Sequence, residues 1–199
     1  MTDPGAVVTY VALLRAVNVG GIRITMDDLR ALAASLGYGN VRSLLQTGNL
    51  VFDGERERPA ALERRLAKVT GRRLGVETEF FVRTSSEWAT AMEANPLIDA
   101  AVRDPSHLVV VFLQESPSGE AVRALRSAIA GPETVEVVGR QAYIAYPEGI
   151  GRSGLTLSRI ERALGTPGTG RNWNTVRRIG ALATGRANSS SGPSRPARS

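Results

Sequence analysis

The sequence predicts an α+β fold in which one unit, β-α-β-β-α-β, occurs twice, the second time one strand short. Three observations point there. Short apolar runs of strand type alternate with segments of helical periodicity. Turn residues separate the two middle strands of each unit, at Gln46-Thr47-Gly48-Asn49 and at Gly139-Arg140. The same order of elements then starts again after Asn95-Pro96.

Val7–Leu14 reads as the first strand. Thr25 with Asp28 forms a capping box, and Leu29, Leu32, Ala33 and Leu36 follow at helical spacing until Gly37. Val41–Leu45 and Leu50–Phe52 read as a hairpin. Pro59 opens a helix with Leu62, Leu66 and Val69 inward and Arg64, Arg65, Arg72 and Arg73 outward as a solvated face, and Val76–Val82 returns as a strand. This is the ferredoxin-like order. Thr84 and Glu87 cap a linking helix that carries Trp88 and Met92.

In the second unit Leu108–Leu113 is a buried-type strand, and Ser118 precedes a helix with Val122, Leu125 and Ile129 on one side. Val135–Val138 and Ala142–Tyr146 form the second hairpin, and Leu157, Ile160 and Leu164 mark a further helix. The last helix is expected from Trp173 to Ala183. The expected organisation is a first subdomain over residues 1–95, a second with the C-terminal helix over 96–183, and a tail over 184–199 rich in Ser, Gly, Pro, Ala and Arg, expected to be disordered.

Composition narrows the chemistry. The 199 residues include no cysteine and one histidine, His107, which excludes disulfides, thiolate catalysis and cysteine-based metal sites. No metal or cofactor is expected, and neither is a membrane span or signal peptide, so the expected location is cytoplasmic. The net charge is +6, yet seven arginines follow Glu161 in a segment without any acid, and the rest holds 18 basic against 19 acidic residues. Positive charge is thus concentrated in the last helix and tail. Lys68 is the sole lysine. Asp27 and Asp28 belong to a first helical turn, where the dipole favours acids.

Several motifs occur in a specific order: Leu13-Leu14-Arg15-Ala16-Val17-Asn18-Val19-Gly20-Gly21, Met26 and Leu29, Gln46-Thr47-Gly48-Asn49-Leu50-Val51-Phe52, Asn95-Pro96, Gly149-Ile150-Gly151-Arg152-Ser153, and Arg171-Asn172-Trp173-Asn174-Thr175. Over roughly Val8 to Leu182 the chain resembles the bacterial domain-of-unknown-function family sixteen ninety-seven. The resemblance implies a duplicated fold with ferredoxin-like subdomains and no established activity, so it transfers no catalytic role. Leu97 stands where a Phe often follows Asn-Pro.

In such a unit the first two strands run the same way, so the end of strand one and the turn between strands two and three share a sheet edge. Arg15, Asn18, Gly20 and Gly21 are therefore expected beside Gln46, Gly48 and Asn49. Arg171, Asn172, Trp173 and Asn174 would complete a polar cluster at a helix N-terminus, suited to a phosphate, carboxylate or nucleobase. Trp173 suits stacking on a base or sugar, although a Trp at a helix start is more often a wedge at a domain junction. The expected ligand contacts are Arg15, Asn18, Gly20, Gln46, Gly48, Asn49, Arg171, Asn172, Trp173 and Asn174. The expected partner is an anionic small molecule, a nucleotide or a nucleic acid. An enzyme acting on a small phosphorylated or carboxylated substrate and an interaction module are the alternatives, and the same residues could instead satisfy backbone groups and cap a helix.

Overall fold

The computed structural model describes residues 6–15, 24–44 and 48–185. The first unit comprises β1 (Val7–Leu14), α1 (Met26–Ser35), β2 (Gly39–Ser43), β3 (Asn49–Glu55), α2 (Pro59–Leu74) and β4 (Phe80–Thr84). Helices α3 (Ser85–Glu93) and α4 (Ile98–Arg103) lead to the second unit. That unit is β5 (Leu108–Leu113), α5 (Gly119–Ser127), β6 (Thr134–Val138), β7 (Gln141–Ala145), α6 (Leu157–Leu164) and β8 (Gly168–Asn172), and α7 (Trp173–Ala183) follows. The sheets have the same antiparallel order, β2-β3-β1-β4 and β6-β7-β5-β8.

The second unit is therefore complete, against the expectation that it lacks a strand. Gly168-Thr169-Gly170-Arg171-Asn172 carries no apolar side chain, so hydrophobic periodicity is silent there. Its strand character comes from pairing with β5, with Leu113 opposite Gly168 and Val110 opposite Arg171. The glycine is required by close approach, since a Cβ at Gly168 would lie 2.7 Å from Val111. β4 likewise begins at Phe80 and not at Val76, because only from Phe80 does the chain pair with β1.

β2 runs from Gly39 to Ser43 and not over Val41–Leu45, and α4 was not expected, whereas the helix caps agree with the sequence. The Thr25–Asp28 and Thr84–Glu87 capping boxes both form, Ser118 caps α5, and α7 has the expected limits.

Alternation along the strands gives each sheet two apolar faces. Tyr10, Ala12, Leu50, Phe52, Phe80 and Val82 pack under α1 and α2. Val111, Leu113, Ala142 and Ile144 pack under α5 and α6. The other faces turn toward one another. Val11, Leu13, Val51 and Phe81 share one core with Leu108, Val110, Phe112 and Tyr143, filled by Trp88 of α3 and by Trp173, Val176 and Ile179 of α7. Trp88 stacks on Phe112 at 4.5 Å between ring centres and donates to the carbonyl of Val176 at 3.1 Å. α3 and α7 thus lie at the junction of two sheets whose outer faces are covered by their own helices.

Candidate functional site

The end of β1, the start of β3 and the end of β8 meet at one rim. The Leu14 N–H donates to the Gly48 carbonyl at 2.7 Å. Gly48 has φ 72°, and a Cβ there would lie 2.6 Å from Leu14 Cβ, so both conformation and space require glycine. From β8, Arg171 Nε donates to Asn49 Oδ1 at 2.6 Å and Nη2 donates to the Leu14 carbonyl at 2.9 Å. Arg171 Nη1 donates to Thr169 Oγ1 and to the Gly170 carbonyl, each at 2.8 Å. Burial pushes the guanidinium down to about 10. Asn49 is fully buried, and its amide donates back to the Leu44 carbonyl at 2.9 Å.

Arg15 leaves the end of β1 in another direction. Its guanidinium bridges Glu79 at 2.6 Å and Glu161 of α6 at 3.0 Å, joining the two units. Asn172 is the N-cap of α7 and accepts from the Thr175 N–H at 2.9 Å. Trp173 is buried in the shared core, and Asn174 is exposed. Gly48, Asn49 and Arg171 come together at this rim, whereas the Arg15 side chain turns away to Glu79 and Glu161. Asn18, Gly20 and Gln46 lie outside the described residues.

The other unit repeats this construction. Arg83 occupies in β4 the place that Arg171 has in β8, one residue before the helix cap, which is Thr84 in one unit and Asn172 in the other. Arg83 Nη2 donates to the carbonyl of Leu113, the last residue of β5, at 2.7 Å. The Leu113 N–H donates to the Arg140 carbonyl at 2.9 Å, as Leu14 donates to Gly48. The next residues match as well, with Gln114 N–H donating to Pro167 and Arg15 N–H to Glu79, both at 3.0 Å. Gln114 stands near Glu63 of α2, whose carboxyl it helps to hold down against the rise from burial, where Arg15 pairs with Glu161 of α6. Each unit thus sends an arginine across to the terminal carbonyl of the other unit's first strand.

The two arginines differ in surroundings. Arg83 lies in a charged network, with Glu63 at 3.8 Å and Arg140 bound to Glu87 at 3.2 Å. Burial pushes Glu63 up and Arg83 down to about 10, Arg140 adding to the latter. Arg83 Nε is buried without a hydrogen bond among the described residues. At the equivalent position Arg171 Nε has Asn49, whose register counterpart in the second unit is Gln141, since Asn49 faces Leu13 and Gln141 faces Phe112. Sequence reasoning passed over Arg83 and set Glu63 beside a solvated arginine face, whereas Glu63 is buried. The signal was an arginine directly before a helix cap, at the same place in both units.

Other expectations are placed as follows. His107 Nδ1 lies 2.6 Å from Asp104 Oδ2 at a half-exposed corner. Arg65 pairs with Glu57 and lies over the Tyr38 ring, while Glu63 on the same helix is buried. Among the described residues no cluster of three or more His, Cys, Asp or Glu is arranged to hold a metal ion, and no helix is long and apolar enough to cross a membrane.

A family model described as "Protein of unknown function (DUF1697)" matches residues 7–143, from β1 into β7. The chain belongs to this family. The match takes in Arg15, Gly48, Asn49 and Arg83, whereas Arg171 lies beyond it. A solved structure, that of the conserved bacterial protein SP0830 from Streptococcus pneumoniae, matches with a TM-score of 0.70 at 22% identity, covering 89% of this chain and 99% of that one. At that identity the likeness speaks for the fold, and its extent takes in both units. No curated protein matches.

Proposed function

We propose that this family member binds a small anionic ligand at the rim formed by the end of β1, the β2–β3 turn and the N-terminus of α7. The observation that carries this reading is unequal elaboration of a duplicated scaffold. The second unit closes β5 to α5 with residues 114–118 and β6 to β7 with residues 139–140. The first unit uses residues 15–25 and 44–48 for the same two connections. Both connections are anchored at one rim, where Leu14 and Gly48 lie beside Arg171, and the second unit closes the same two connections with less chain. Extra chain at a scaffold's edge adds little closure cost and is the usual carrier of binding.

The chemistry of the rim supports an anion. The first turn of α7 offers N–H groups with the positive end of the helix dipole, and Arg171 holds a fixed charge beneath. The hydrogen bonds of Arg171 to Leu14, Asn49, Thr169 and Gly170, and the ion pairs of Arg15, give both arginines an anchoring role. In this reading direct contact falls to Asn18, Gly20, Gln46 and the exposed Asn174, with Gly48 and Asn49 shaping the turn.

The test is thermal stability of the full chain against inorganic phosphate, nucleotides, phosphosugars and short oligonucleotides. A ligand that prefers the native state raises the midpoint with concentration. The expected result is a shift that Asn18→Ala or Gln46→Ala abolishes while leaving the ligand-free midpoint unchanged. A response confined to oligonucleotides and falling steeply with salt identifies a nucleic acid as the ligand. No shift across the panel, or variants that respond as the parent does, defeats the reading.

A further inference from the structure

Helix α4 turns an unusual face to solvent. Leu97, Ala100 and Ala101 pack on the shared core, while Ile98, Asp99, Val102 and Arg103 point outward. Ile98 is 58% and Val102 77% exposed, a pair of large apolar side chains one turn apart. Asp99 and Arg103 run beside them as a second ridge of opposite charges at the same spacing. An open depression of about 450 Å³ adjoins the ridge, with Ile98, Asp99 and Arg103 of α4 forming one wall and Thr134, Ala145 and Pro147 among the residues that complete it. A ridge and a receiving hollow therefore lie side by side on one surface.

That arrangement complements itself under a two-fold axis. In an isologous contact residue i of one copy meets j of the other, and j meets i. Two α4 helices packed antiparallel set Ile98 against Val102 of the second copy and Asp99 against its Arg103, twice over. Each apolar ridge then borders the other copy's hollow. Parallel packing would set like charges together, so the charge order selects the antiparallel pair. We propose that this face is a homodimer interface centred on α4, with a second copy of this chain as its occupant.

The proposal stands apart from the ligand reading, because α4 carries none of the rim residues. It is tested by sedimentation velocity of the full chain over a wide concentration range. The parent chain is expected to dimerise reversibly. Val102→Glu is expected to be monomeric with an unchanged melting curve, as its side chain contributes little to the fold. Asp99→Arg and Arg103→Asp create facing like charges and are each expected to weaken self-association by about tenfold or more. Mixed together, the two single variants restore both attractions, and the mixture is expected to dimerise where neither does alone. A parent chain that is monomeric throughout overturns the proposal. A dimer that survives Val102→Glu overturns it too, as do single variants that stay apart when mixed.

Discussion

The Leu14 rim and the Leu113 rim are built from the same parts and finished differently. In both, the last residue of the first strand donates to a turn residue and accepts from an arginine of the other unit. At Leu113 the connections are minimal and the arginine sits in a network of buried charge. At Leu14 the connections are long, and a buried asparagine orients the arginine through its carbonyl oxygen. The shared part joins the two sheets. The difference locates what the fold does not need, and that is where a function has room.

The comparison breaks most sharply at the arginines. Arg83→Ala removes the partner of buried Glu63 and the donor to Leu113, and such an uncompensated buried charge costs about 3–5 kcal/mol. Arg171→Ala strips hydrogen bonds from the Leu14 carbonyl and from Asn49, a loss of about 1–3 kcal/mol. Denaturant midpoints at constant m-value measure both. Adding Glu63→Gln should recover part of the Arg83→Ala loss, because the carboxylate left behind is then neutral. Equal losses for the two alanine variants, with no recovery, would mean that the charged network adds nothing to the clasp.

The turns sharpen the comparison at smaller magnitude. Gly139 in the second unit has φ 55°, and a Cβ there meets only Gln141 Oε1 at 3.7 Å. Gly139→Ala should cost about 1–2 kcal/mol for the left-handed conformation alone. At Gly48 the same conformational cost is joined by the collision with Leu14, so Gly48→Ala should cost about 2–4 kcal/mol. If the two glycines prove equally tolerant in thermal or urea unfolding, the Leu14 rim yields more readily than its packing indicates.

Much of this construction was legible beforehand. Caps are local chemistry, so Thr25, Thr84 and Ser118 fixed three helix starts, and the apolar rows of β1 and β5 announced buried strands. Two-residue and longer turns of Gly and Asn marked the hairpins. β8 was hidden because its side chains are glycine, threonine, arginine and asparagine, and its pairing depends on the partner strand's shape. The meeting of the β1 end with Gly48 and Asn49 followed from topology, which needs only element order. That Arg171 reaches the Leu14 carbonyl, and that Arg83 mirrors it, depends on how two sheets pack. Periodicity carries no information about that.

The smallest expected effect appears only in alkali, and it too compares the units. All four tyrosines are pushed up from the ordinary phenol value, mainly by burial. Tyr143 and Tyr146 of the second unit reach about 12, where their hydroxyls donate to the Ala91 and Leu155 carbonyls. In the first unit Tyr10 also meets Arg56 and Arg65, which oppose the rise, and Tyr38 meets Arg65. The native state therefore holds protons that the unfolded chain releases near 10. By linkage the stabilisation is complete below 10 and is lost as pH rises through about 12. Phenolate absorbance during a pH titration should thus rise in two stages, with Tyr10 and Tyr38 ahead of Tyr143 and Tyr146. The phenol-to-phenylalanine variants Tyr143→Phe and Tyr146→Phe should remove the later stage. A single early transition involving all four phenols would show that the second unit's hydroxyls are open to solvent, and its interior would then be no drier than the first.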